Sequence, residues 1–171
     1  MTITNGGRVW SVGAYIGGQI VFSGSGRSNS VVITGAGSSW TNSNASSLGD
    51  AGAFNQLTIT NGGVMDNSLD LTLGAQASGS NNTLLVTGTN SLCSNAARLT
   101  VGRSGSGNQL LVKAGATVYD NLGELAQNSA SSNNTALVTD PGSVWWSGSD
   151  AYVGNAGRGN LLTVQNGAVL V

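Results

Sequence analysis

The chain has 171 residues, of which 27 are Gly and one is Pro, with 8% charged residues and a net charge of −1, enough length for a single domain with a real core. Six basic residues (Arg8, Arg27, Arg98, Arg103, Lys113, Arg158) are scattered along it, so no clustered surface for phosphates is offered and nucleic acid is not an expected partner. The absence of His and the presence of one Cys, Cys93, exclude an intrachain disulfide and a thiolate zinc cluster, and apolar runs such as that at 19–22 are too short to span a bilayer.

The first phrase is "TITNGG" at Thr2 to Gly7, followed by an apolar Val9 and by "YIG" at Tyr15 to Gly17. An insertion of about four residues near 19–25, by comparison with the later units, interrupts the first unit. From there one residue type measures the chain. Asn29, Asn55, Asn82, Asn108, Asn134 and Asn160 are separated by 26, 27, 26, 26 and 26 residues. The second and fourth residues after each Asn run Val31 and Ile33, Leu57 and Ile59, Leu84 and Val86, Leu110 and Val112, Ala136 and Val138, Leu162 and Val164, all apolar. A glycine stands within the sixth to eighth positions of every unit, and a second short strand begins near the tenth. Third apolar pairs stand at "LTLG" (Leu71 to Gly74), "LTVG" (Leu99 to Gly102) and "YVG" (Tyr152 to Gly154).

Each unit therefore reads as three short strands with two-residue alternation, separated by Gly, Asn and Ser turns, and no segment carries a helical stripe. A five-residue strand cannot bury its apolar face alone. Stacking successive units at about 4.8 Å places equivalent positions above one another and makes a continuous core. The predicted fold is all-β: a parallel β-solenoid of about 6.5 coils forming one segment over residues 1–171. The repeated Asn is expected to form a structural ladder, with stacked side-chain amides bonded from coil to coil and the residue itself suited to left-handed turns. The chain begins at the third position of a unit and stops at the eleventh, so the reading expects no capping element at either end.

Candidate chemistry is sparse. Asp66 and Asp120 fall at nearly the same unit position, two coils apart, which would set them about 10 Å from one another on one wall. No His or basic residue accompanies them, and the expectation is that the chain is not an enzyme, with no catalytic, cofactor or metal site. The calcium-binding nonapeptide is absent, and "GRSGSG" at Gly102 to Gly107 precedes no helix.

Surface contacts are the stronger candidates. Counted from the Asn, the eleventh position holds Trp10, Trp40, Asp66, Cys93, Tyr119, Trp145 and Val171, beside a tenth position of Val9, Ser39, Met65, Leu92, Val118, Val144 and Leu170. Adjacent strand residues face opposite ways, so one of the two columns points inward and the other outward. If Trp10, Trp40, Tyr119 and Trp145 point outward they form a contact surface; core or corner packing is the commoner use of such residues. The third position, with Val32, Leu85, Leu111 and Leu137, should face outward as an apolar stripe fit for lateral association.

Phrases such as "VVITGAGSSWTNS" (Val31 to Ser43), "RLTVGRSGSGNQLLVKAGATV" (Arg98 to Val118) and "YVGNAGRGNLLTVQNGAVL" (Tyr152 to Leu170) resemble the passenger repeats of bacterial autotransporters and related surface adhesins, over nearly the whole chain. The resemblance implies a right-handed parallel β-helix displayed outside the cell or on its surface, with adhesion or self-association as its role. The expected partners are other copies of the chain, end to end or side by side, or surface glycans or proteins. An extracellular filament growing by coil stacking and a carbohydrate-binding β-helix are the alternatives. No secretion signal is visible in "MTITNGGRVW", so the export signals are expected outside this chain.

Overall fold

The computed structural model describes residues 1–18 and 25–171; the insertion read at 19–25 lies, but for Ser25, outside the described residues. Among the described residues, twenty short strands build three parallel sheets. Sheet A stacks β1 (Thr2–Ile3), β4 (Ser30–Thr34), β7 (Gln56–Thr60), β10 (Thr83–Thr87), β13 (Gln109–Lys113), β16 (Thr135–Val138) and β19 (Leu161–Val164). Sheet B stacks β2 (Arg8–Ser11), β5 (Ser39–Asn42), β8 (Val64–Asn67), β11 (Leu92–Asn95), β14 (Thr117–Asp120), β17 (Val144–Ser147) and β20 (Val169–Leu170). Sheet C stacks β3 (Tyr15–Ile16), β6 (Ser46–Leu48), β9 (Leu71–Leu73), β12 (Arg98–Val101), β15 (Leu122–Leu125) and β18 (Ala151–Val153). Taken in chain order, one strand from each sheet makes a coil; six coils are followed by a seventh that contributes β19 and β20. The chain is thus a β-helical repeat protein, a β-solenoid whose every strand pairs with the strand one coil away.

Alternation decides what faces the axis. In sheet A the second and fourth residues of β4, β7, β10 and β13 are buried and their neighbours are not, which puts Val31, Ile33, Leu57, Ile59, Leu84, Val86, Leu110 and Val112 into one continuous core. Sheet C adds Ile16, Leu48, Leu73, Val101 and Leu125 from a second wall. No single coil could bury these side chains; each is covered by the coils above and below.

The nearly constant period conceals two kinds of coil. Between sheets A and B the corner is three residues long in coils 1, 3, 5 and 7 (5–7, 61–63, 114–116, 166–168) and four long in coils 2, 4 and 6 (35–38, 88–91, 140–143). The backbones differ accordingly. Short corners place two consecutive residues at positive φ, as at Asn61 (52°) and Gly62 (80°), whereas long corners place the first and third there, as at Gly35 (89°) and Gly37 (81°). Between sheet C and the next Asn the alternation runs the other way, with six residues at 49–54, 102–107 and 154–159 and eight at 74–81 and 126–133. A corner shorter by one residue in one place goes with a corner longer by two in the other, so the Asn spacing varies only between 26 and 27 while the corners alternate with a repeat of two coils. The two kinds interlock. The amides of Gly6, Gly62 and Gly115 in short corners donate to the hydroxyls of Ser38, Ser91 and Ser143 in the long corners of the next coil, at 3.0–3.1 Å.

Candidate functional site

The Asn ladder occupies the corner where the chain enters sheet A. From Asn55 onward each Oδ1 accepts two hydrogen bonds from the Asn of the preceding coil, one from its backbone amide and one from its Nδ2: Asn29 to Asn55 at 3.0 and 2.9 Å, Asn55 to Asn82 at 2.9 and 3.0 Å, Asn82 to Asn108 at 3.0 Å in both. Asn108 to Asn134 and Asn134 to Asn160 continue the pattern at 2.8–3.2 Å. The expected left-handed conformation falls one residue earlier, at Ser28, Phe54, Asn81, Gly107, Asn133 and Gly159, all with φ between 55° and 69°. The preceding residue thus makes the turn, and the Asn side chain is left free to tie coils together. Close packing at this corner also needs glycine: a Cβ on Gly102 (φ 81°) would lie within 2.3–2.6 Å of the Asn134 side chain.

A second ladder runs along the end of sheet B. Asn42 Nδ2 donates to Asn67 Oδ1 (2.9 Å) and Asn67 Nδ2 to Asn95 Oδ1 (2.8 Å), all three side chains being buried. The next rung is Asp120. Asn95 instead donates to the Tyr119 carbonyl (3.3 Å), while Asp120 accepts from Trp145 Nε1 (2.6 Å) and from the Ser147 hydroxyl (2.8 Å). Burial pushes the Asp120 carboxyl above the usual aspartate range, with the two hydrogen bonds acting the opposite way.

Sheet B corrects the sequence reading of the contact surface. Strand register aligns Val9, Trp40, Met65, Cys93, Val118, Trp145 and Leu170 as the inward column, and Trp10, Thr41, Asp66, Ser94, Tyr119, Trp146 and Val171 beside it as the outward one. Trp40 and Trp145 are core residues, 8% and 1% exposed, rather than surface contacts. Trp10 and Tyr119 do face out, at 69% and 42%, and Trp146 joins them at 44%. Counting from the preceding Asn crosses the corner of alternating length, so the eleventh position is inward in one coil and outward in the next. Cys93 lies in the inward column; burial pushes its thiol up to about 12, which leaves it a protonated core filler at neutral pH. Asp66 and Asp120 stand on opposite faces of the sheet, one exposed and one buried, rather than on one wall.

The rings of Tyr119 and Trp146, one coil apart, stack with centroids 6.5 Å apart and planes 17° from parallel. On sheet A the outward column is Val32, Thr58, Leu85, Leu111, Leu137 and Thr163, with Leu85, Leu111 and Leu137 half-buried in three successive coils and Thr58 separating them from Val32. On sheet C the outward Glu124 is covered by Arg98, whose Nη1 stands 3.4 Å from Oε2, and by Asn155, which donates to Oε1 at 2.7 Å. The sequence reading missed Trp146, the second ladder and the Glu124 cluster. The first two were signalled by the strand endings "WTN", "MDN" and "CSN", which place the correct column two residues before a polar rung.

Among the described residues no three His, Cys, Asp or Glu side chains are grouped to hold a metal ion, and no helix is long and apolar enough to cross a membrane. No family model, curated protein or solved structure matches the chain.

Proposed function

We propose that this chain is a non-enzymatic structural β-solenoid of an exported bacterial surface protein, serving adhesion or self-association. The observation that carries this reading is the outward face of sheet B, where Trp10, Tyr119 and Trp146 are held in solvent by a rigid stack that has no need of them for its core. Large apolar groups displayed on a fixed surface favour contacts with other macromolecules. The resemblance of the repeats to autotransporter passengers supports the location. Asp66 and Asp120, the two carboxylates nearest in unit position, lie on opposite faces of sheet B, which supports a non-enzymatic reading. Stacking of Tyr119 on Trp146 turns a face of each ring toward the other rather than outward, which favours a protein contact over a platform for sugar rings.

The test is to couple the purified chain to beads and to measure bead clustering and binding to bacterial cells, with sedimentation of the free chain in parallel. Clustering or cell binding that saturates with chain density is expected. Inert beads and a chain that stays monomeric at every concentration would overturn the reading. Even rods lengthening with concentration under the electron microscope would favour growth by coil stacking instead, and tryptophan fluorescence changes with oligosaccharides would favour a glycan binder.

A further inference from the structure

We infer that the outward face of sheet B is the contact surface of a two-fold dimer in which a second copy packs with its solenoid axis reversed. The inference rests on the self-association reading above and names its surface. The outward column reads aromatic, polar, acidic, polar, aromatic, aromatic from coil 1 to coil 6: Trp10, Thr41, Asp66, Ser94, Tyr119, Trp146. A two-fold axis lying along the strand direction between coils 3 and 4 reverses the order of coils and keeps each column opposite itself. Trp10 then meets Trp146 of the second copy, Thr41 meets Tyr119, and Asp66 meets Ser94, whose hydroxyl can donate to the carboxylate. The neighbouring outward column obeys the same symmetry. It runs Arg8, Ser39, Val64, Leu92, Thr117 and Val144, so Val64 meets Leu92 at the centre, Ser39 meets Thr117, and Arg8 meets Val144 beside the Trp146 ring.

A two-fold axis along the solenoid axis would oppose the same coils and reverse the strands, setting Asp66 against Asp66 where it runs over that column or Arg8 against Arg8 where it runs over the neighbouring one, a like-charge contact that the reversed arrangement avoids. Area is sufficient but small. Six coils at about 4.8 Å and strands of about 13 Å give, with side-chain relief, about 500 Å² per partner, the low end for a specific association. A dissociation constant in the micromolar range is expected for such an area, one that display of many copies on one surface would strengthen through avidity.

Sedimentation velocity from 1 to 200 μM tests this on the whole chain, with circular dichroism to confirm that each variant is folded. The parent is expected to reach a dimer, and Trp10→Asp or Trp146→Asp to raise the dissociation constant at least tenfold, since each sets a carboxylate against an indole. The double variant Trp10→Asp/Trp146→Lys should restore the dimer, because only the reversed arrangement brings positions 10 and 146 together. Leu111→Lys, on sheet A, should leave it unchanged. A parent that is monomeric at 200 μM, a dimer indifferent to both Trp variants, or a double variant that stays monomeric would overturn the inference. If the monomeric parent still clusters beads or binds cells, or if Leu111→Lys alone breaks the dimer, the surface is wrong while the broader reading stands.

Discussion

At the scale of the residue, a buried amide or carboxylate counts by what it leaves unpaired when removed. Asn82 accepts two hydrogen bonds from Asn55, and its own side chain donates one to Asn108. Asn82→Ala should cost about 2–3 kcal/mol, because buried donors on Asn55 lose their acceptor; urea unfolding would measure it. Asp120 makes the opposite case, a rung where the ordinary Asn would serve better at neutral pH. Its folded carboxyl is raised above the unfolded value, so the folded state favours the protonated form. Stability from this group is fully present below the usual aspartate range and is lost as pH rises through the raised folded value. Asp120→Asn keeps an oxygen for Trp145 Nε1 and offers an N–H to Ser147, whose own proton can serve the Asp150 carbonyl. Denaturation midpoints of parent and variant should coincide in acid and separate above it, with the variant the more stable; coincident midpoints at pH 8 would contradict this account.

At the scale of the element, corner length controls which way a strand faces. Ser91 carries one link of that control, accepting from Gly62 in the coil below and donating to its own Thr87 carbonyl. Ser91→Ala should cost about 1–2 kcal/mol by urea unfolding, without altering the strand content seen by circular dichroism. Strand existence, sheet number and the core of sheet A were legible from the sequence because the Asn immediately precedes the strand that carries the alternating pair, with no corner of variable length between them. Sheet B was legible as a strand but not in register. Its distance from the Asn spans a corner that alternates between three and four residues, and a one-residue change exchanges the two faces. Trp40 and Trp145 were therefore grouped with Trp10 and Tyr119. The polar rungs Asn42, Asn67 and Asn95 lie within the same strands as the columns in question, and counting back from them gives the observed faces.

At the scale of the whole molecule, the unit of construction is a pair of coils. Duplicating residues 55–107 inserts one such pair and leaves every short corner beside a long one, so the lengthened chain should melt close to the parent. Duplicating residues 55–81 inserts a single coil, sets two short corners together and leaves the Gly62 amide without a Ser hydroxyl above it; this chain should melt markedly lower by calorimetry. A similar melting temperature for both would show that the alternation is incidental. The ladders have a further electrical effect. The Asn-to-Asn bonds of both ladders run one way, each Nδ2 donating to the Oδ1 of the next coil, while Asn55 and Asn108 also donate back to the Gly26 and Gly79 carbonyls. Their amide dipoles add along the axis and polarise one another, so the rod carries a fixed field with a distinguishable head and tail. Two such rods lying side by side attract when they point in opposite directions and repel when they point the same way, a bias that the interior imposes on any lateral packing before a surface side chain is touched.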